Sequence, residues 1–276
     1  MSTNADPFDL PLGGLPRMPH LTLSRTHMEA AIAEVRFVPS TELLTEDVAV
    51  RVWDALGRES LPVFEAHAVN TVSLTVSPQG ADSATQVQHG WILATADRRK
   101  TVTILPSMVA VQTSRYDRYR TSLGEPVMRA VSAFVAATGS SVVQRIGLRY
   151  INRLQDSAAN EPAFWSDHIR EPFAGPLGGE LARCVESLHQ QVFLRLEPSA
   201  FARINSGVFR EEAAEPRFSF LIDLDVFREE AFSFDAAICE GWLRQLNRTA
   251  FPLFGQVLSV AYMQSLGPVE LDEVQP

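Results

Sequence analysis

The chain has 276 residues, 46% of them hydrophobic and 21% charged, and carries a formal net charge of −9. That much apolar material fills a large core, in one big domain or two intimately packed halves, and argues against disorder of the body. The acidic balance removes any overall pull toward phosphate backbones and disfavours nucleic acid as a partner, although a local basic groove is compatible with it.

Residues 1–26 read as a flexible arm. Pro7, Pro11, Pro16 and Pro19, with Gly13 and Gly14, oppose regular structure, while Leu10, Leu12 and Leu15 can dock the arm onto the body. Met1 to Pro19 lack a basic stretch followed by an apolar one, so no signal peptide is expected. No apolar run approaches about 18 residues, so no membrane span is expected, and the cytoplasm is the default location.

A first α+β half is expected over residues 27–155. The alternation in AAIAEVRFV, residues 30–38, predicts a strand. Thr41 is placed as the N-cap of a helix over 42–56, which Gly57 ends. Strand signals follow at 69–76, 85–95 and 99–113, with Asp97 at a hairpin turn and Pro106-Ser107 at a bulge or second tight turn. A helix over 125–138 starts at Pro126 and closes at Gly139, and a strand spans 141–154.

Residues 156–180 read as a connecting segment rich in Pro and Gly, with a short helix near 163–169. A second half, 181–266, begins with a helix or strand–helix junction over 180–196. Strands follow at 201–209 and 217–227, then a helix over 235–254 that Phe251-Pro252 should kink or end, then a last strand over 257–263. Residues 267–276 form an acidic tail. The order of elements in 85–154 is similar to that in 201–263, with SRYDRY and FREEAFSF in equivalent places. Duplication and coincidence among common ββα units are equally open. The fold class is α+β, with two similar halves, each a mainly antiparallel sheet under a long helix.

The most distinctive stretch is RIGLRYINR, residues 145–153. As a strand it projects Arg145, Gly147, Arg149, Ile151 and Arg153 from one face. Arginine offers planar bidentate donors and glycine permits close approach, so this face is a candidate anion-binding strip. The competing reading pairs the arginines with Asp223 and Asp225, which share one face of the strand FLIDLDVF. The same two carboxylates are weak metal-ligand candidates, with no third acidic residue at fixed spacing. Tyr116 and Tyr119, among Arg115, Arg118 and Arg120, either stack a ligand or cover the start of the next helix. Cys184 and Cys239 read as buried small hydrophobes on helices, and His189 as a surface group on a helix.

No histidine forms a metal-binding spacing. The chain contains no G-x-S-x-G, no phosphate-binding loop and no dinucleotide fingerprint. No cofactor is implied.

The strand A-I-A-E-V-R-F, the hairpin at Trp91, SRYDRY, RIGLRYINR and LIDLDVF together resemble an uncharacterised, sporadically distributed bacterial protein family. The resemblance covers residues 25–265 and is most specific at RIGLRYINR. That family has no assigned activity, so it implies order and pattern and transfers no functional residue. The leading functional expectation is a non-catalytic binding or interaction protein with a protein partner, as a subunit of a multi-gene bacterial system. The alternative is a metal-dependent enzyme acting on a phosphorylated or anionic small molecule.

Overall fold

The structure, a computed structural model, describes residues 7–18, 21–25, 27–39, 44–77, 80–212 and 216–270. The chain enters through two short 3-10 turns, Pro7–Asp9 and Leu12–Gly14, and a short strand β1, Leu21–Leu23. Strand β2, Met28–Phe37, alternates as its sequence predicts. Ala31, Ala33, Val35 and Phe37 are fully buried on one face, and Ile32, Glu34 and Arg36 stand on the other.

Helix α1, Glu46–Leu56, is capped by Thr45, whose hydroxyl accepts from the amide of Val48. The helix therefore begins later than the expected 42, and Thr41 lies outside the described residues. Two hairpins follow, β3 (Val63–Ser77) with β4 (Gly80–Ala94), and β5 (Lys100–Leu105) with β6 (Met108–Thr113). A π-helical turn, Arg120–Gly124, leads into α2, Glu125–Thr138. Gly139 closes α2 in the left-handed conformation that its missing Cβ permits.

Strand β7, Val142–Leu154, contains the arginine motif. The connection after it holds short helical turns and α3, Glu171–Ala174. Its Trp165 is fully buried and donates its indole N–H to the carbonyl of Phe218 at 3.1 Å.

Residues 188–197 form strand β8, followed by β9 (Ala200–Arg210) and β10 (Phe218–Ser233). The region expected as a helix or a strand–helix junction over 180–196 is thus one short 3-10 turn, Ala182–Cys184, followed by a strand. Side chains along LHQQVFLRLE alternate half-buried and exposed until Leu196, which is the period of a strand. His189 lies on β8, and Cys184 is exposed on a 3-10 turn, whereas Cys239 is buried as expected. The segment FREEAFSF is mostly the end of β10 and not a turn.

Helix α4, Ala236–Val257, runs through Pro252 without ending there. Residues 257–263 do not form a strand, because α5 spans Val260–Ser265. The short strand β11, Pro268–Glu270, pairs with β1.

The long strands make one continuous antiparallel sheet in the order β3-β4-β5-β6-β2-β7-β10-β9-β8. The protein is therefore a mixed α/β fold built on one large antiparallel sheet. Helix α1 packs on α2, α2 on β6, and α4 on β7 and β10, so these helices cover one face. Phe37 of β2 meets Phe134 of α2 with ring centroids 5.3 Å apart. The entering segment packs on α4. Leu12 is fully buried, its amide donates to the Thr249 hydroxyl at 3.0 Å, and Gly241 leaves room for the ring of Phe8. The other face of the sheet has no helix on it among the described residues.

Candidate functional site

The arginine motif stands where a strand reading puts it. On β7, Ile146, Leu148 and Tyr150 are buried toward the helices, and Arg145, Gly147, Arg149 and Arg153 face the uncovered side. Residues alternate because the motif pairs on both sides, with β2 and with β10.

The guanidiniums are engaged. The register sets Gly147 opposite Glu34 on one side and Phe227 on the other. Arg145 lies along the strand over this glycine. Its guanidinium carbon sits 4.4 Å from the centroid of the Phe227 ring. Its Nη1 donates to Glu34 Oε1 at 2.5 Å, and its Nη2 to Asp225 at 3.0 and 3.2 Å. A Cβ at position 147 would lie 2.9 Å from Arg145 Nη1 and 3.2 Å from Phe227 Cβ. The glycine thus makes room for a neighbouring side chain of its own strand.

Arg149 stands opposite Asp225 and reaches diagonally to Asp223. Its Nε and Nη2 each donate to that carboxylate at 2.7 Å, the bidentate geometry guanidinium favours. Asn205 Nδ2 donates to the same carboxylate at 3.1 Å. Arg153 pairs with Glu29 at 2.7 Å, near solvent. The Asp223 hydrogen bond raises the pKa of Arg149 further. Burial pushes the Asp225 carboxyl up, and Arg145 offsets this only in part.

Asp223 and Asp225 therefore serve as anchors for arginine. Among the described residues no group of three or more His, Cys, Asp or Glu side chains is arranged to hold a metal ion.

Tyr116 and Tyr119 are not brought to this face. They pack against the core on the helix side, where Tyr116 meets the Tyr150 ring edge-on at 5.8 Å. Tyr150 donates its hydroxyl to Asn247 Oδ1 at 2.8 Å. Burial pushes Tyr116 up to about 12 and Tyr119 and Tyr150 well above the ordinary range. Of the surrounding arginines, Arg120 pairs with Glu125 at 2.7 Å.

Beside the arginine strip lies an aromatic ladder that sequence reading missed. Phe227, Phe201 and Phe193 sit on β10, β9 and β8, with successive centroids 5.7 and 5.5 Å apart. Phe193 is 55% exposed, and Arg203 lies 6.0 Å from its ring. Phe209 is also exposed, at the rim of a depression of about 510 Å³ that Arg153 and Leu221 help to line. The signal for Phe193 was the two-residue alternation of residues 188–195, which a helical reading of that segment hides.

The uncovered face can bind a flat, mixed surface. It offers aromatic rings for contact and paired charges for register. Among the described residues, no helix is long and apolar enough to cross a membrane. No protein-family model matches the chain, and no curated protein matches it.

Proposed function

We propose that this chain is a non-catalytic interaction protein, a subunit of a multi-gene bacterial system. It engages a protein partner through the uncovered face of its sheet. The observation that carries this reading is the exposed Phe193 at one end of an aromatic ladder whose other end, Phe227, lies under the ion-paired Arg145. Interfaces favour exposed aromatic rings and arginine over unpaired lysine and acid. A phosphate-binding strip would need guanidinium donors that are not committed to Asp223, Asp225 and Glu34, which weakens the case for an anionic ligand.

Stoichiometric co-purification with the product of a neighbouring gene is the expected result, lost on Phe193→Glu while the fold is retained. A protein that stays alone with every neighbouring product overturns the reading.

The metal-dependent enzyme is the weaker reading, since the two aspartates it needs already hold arginines. Magnesium or manganese is expected to leave the melting temperature unchanged. A metal-dependent rise that vanishes in Asp223→Ala would restore the enzyme.

We also propose that the sheet consists of two similar halves that meet at the β2–β7 pair. The strand order supports this. In each half the first strand lies at the centre, antiparallel strands approach it from the rim, four (β3 to β6) in the first and three (β8 to β10) in the second, and a long helix follows. In this division the first half runs β2 to α2 and the second β7 to α4, which moves β7 out of the expected first half, 27–155, and into the second. A cytoplasmic location belongs to the same proposal.

A further inference from the structure

The strands β3 and β4 are much longer than the sheet that carries them. They pair in unbroken register from Val63↔Ala94 to Ser77↔Gly80. Strand β5 pairs with β4 only from Trp91 to Ala94. Residues 67–77 and 80–90 therefore form a two-stranded ribbon that continues roughly 35 Å past the β5 pairing, at a strand's rise per residue. A two-stranded ribbon alone in water is marginally stable, and gains when further strands join it.

An unpaired strand edge is a template for another chain, and edges that must stay single carry charges, prolines, bulges or a cover. The β8 edge has such devices. Arg195 and Glu197 lie on it, its register shifts between them, and the Leu12–Gly14 turn packs beside it. Among the described residues the β3 edge, VFEAHAVNTVSLTVS, has no proline and no bulge, and its one acidic or basic side chain besides His67, Glu65, stands at the body end and pairs with Arg98. Between residues 66 and 96 the chain contains a single Asp, Glu, Lys or Arg, which is Asp82 on β4.

We infer that the β3 edge pairs antiparallel with the β3 edge of a second copy of this chain, making a four-stranded β4-β3-β3-β4 sheet between two bodies. An antiparallel edge is its own complement across a two-fold axis, so the pairing closes at two copies. Strand β3 suits this better than β4, because Val, Thr and Leu dominate it, whereas GADSATQVQHG on β4 is rich in poor strand formers. Charge permits it as well. An axis near the middle of β3 keeps the two Glu65 side chains far apart. Pairing through the ribbons also holds two bodies of formal charge −9 beyond the screening length of about 8–10 Å. This inference is independent of the proposed partner face, which lies on a different part of the sheet.

The test is the mass of the full chain by size exclusion with light scattering. The expected value is twice the 30.5 kDa of one chain. Val72→Lys with Leu74→Lys, on β3, is expected to shift the mass to that of a single chain with an unchanged circular dichroism spectrum. Lysines at Ser83 and Thr85, their register partners on β4, leave the dimer intact. Should the β3 variant fold poorly, a shortened chain answers the same question. Replacing residues 70–87 by Asn-Gly joins the paired Val69 and Gln88 through a two-residue turn, and this protein is expected to be monomeric. A monomeric parent protein overturns the inference, as does a dimer that survives both β3 changes. A dimer broken by Phe193→Glu alone also overturns it, and would assign the uncovered face to the second copy.

Discussion

At the scale of single residues, the arginines of β7 differ in what surrounds them. The Asp223 side chain is 8% exposed, so removing Arg149 leaves a buried carboxylate with Asn205 as its remaining side-chain donor. Arg149→Ala is expected to cost about 2–3 kcal/mol by urea unfolding, below the full cost of breaking a buried pair because Arg149 itself is 46% exposed. Arg153→Ala breaks a pair that solvent screens on both sides, and should cost at most about 1 kcal/mol. Equal costs would refute this ranking. Asp225 gives a pH dependence of defined sign. Burial raises its pKa in the folded protein, so the native state takes up this proton at higher pH than the unfolded chain does. The group's contribution to stability therefore improves as pH falls through the raised value toward the ordinary one, and worsens as pH rises through it. Asp225→Asn removes that contribution. The difference in urea midpoint between parent and variant should move in favour of the parent between pH 7 and about 4. A difference that is constant, or moves the other way, contradicts it.

At the scale of elements, glycines within strands mark close approaches. Gly207 on β9 leaves no space for a Cβ, because the carbonyl of Leu188 on β8 already occupies that place. Gly90 on β4 is closed in the same way by the carbonyl of Ile104. Gly207→Ala is expected to displace β8 and to raise amide exchange along it, while β2 and β7 stay protected. Retained β8 protection would count against this role. Much of the first half was legible at this scale. Strand β2 alternates cleanly, α2 has both proline and glycine as its boundaries, and Pro106-Ser107 separates two strands. In the second half β8 was hidden, because LHQQVFLRLE contains good helix formers and only pairing with β9 holds it extended. Pro252 misled in the other direction. It is buried within α4, whose packing on β7, β10 and α2 outweighs one missing amide.

At the scale of the whole molecule, the helices of the described residues lie on a single face of one sheet, and the consequence falls on the uncovered one. The aromatic ladder ends in open solvent at Phe193, so Phe193→Glu should leave the melting temperature within about 2 °C of the parent. The same change should abolish partner capture. A large loss of stability would mean that Phe193 is a packing residue of the ladder and not a contact.

The sequence alone determined that RIGLRYINR is a strand with its arginines on one side, because side-chain direction follows from a period of two. It also determined that Asp223 and Asp225 share a face, for the same reason. Only the tertiary structure decided that β7 and β10 are neighbours, which joins those two faces into ion pairs. It likewise separated the tyrosines of SRYDRY from the arginines, and gathered Phe193, Phe201 and Phe227 from three strands. Local pattern fixes the face on which a side chain stands. Strand order, set by which edges pair over the common core, fixes what stands beside it.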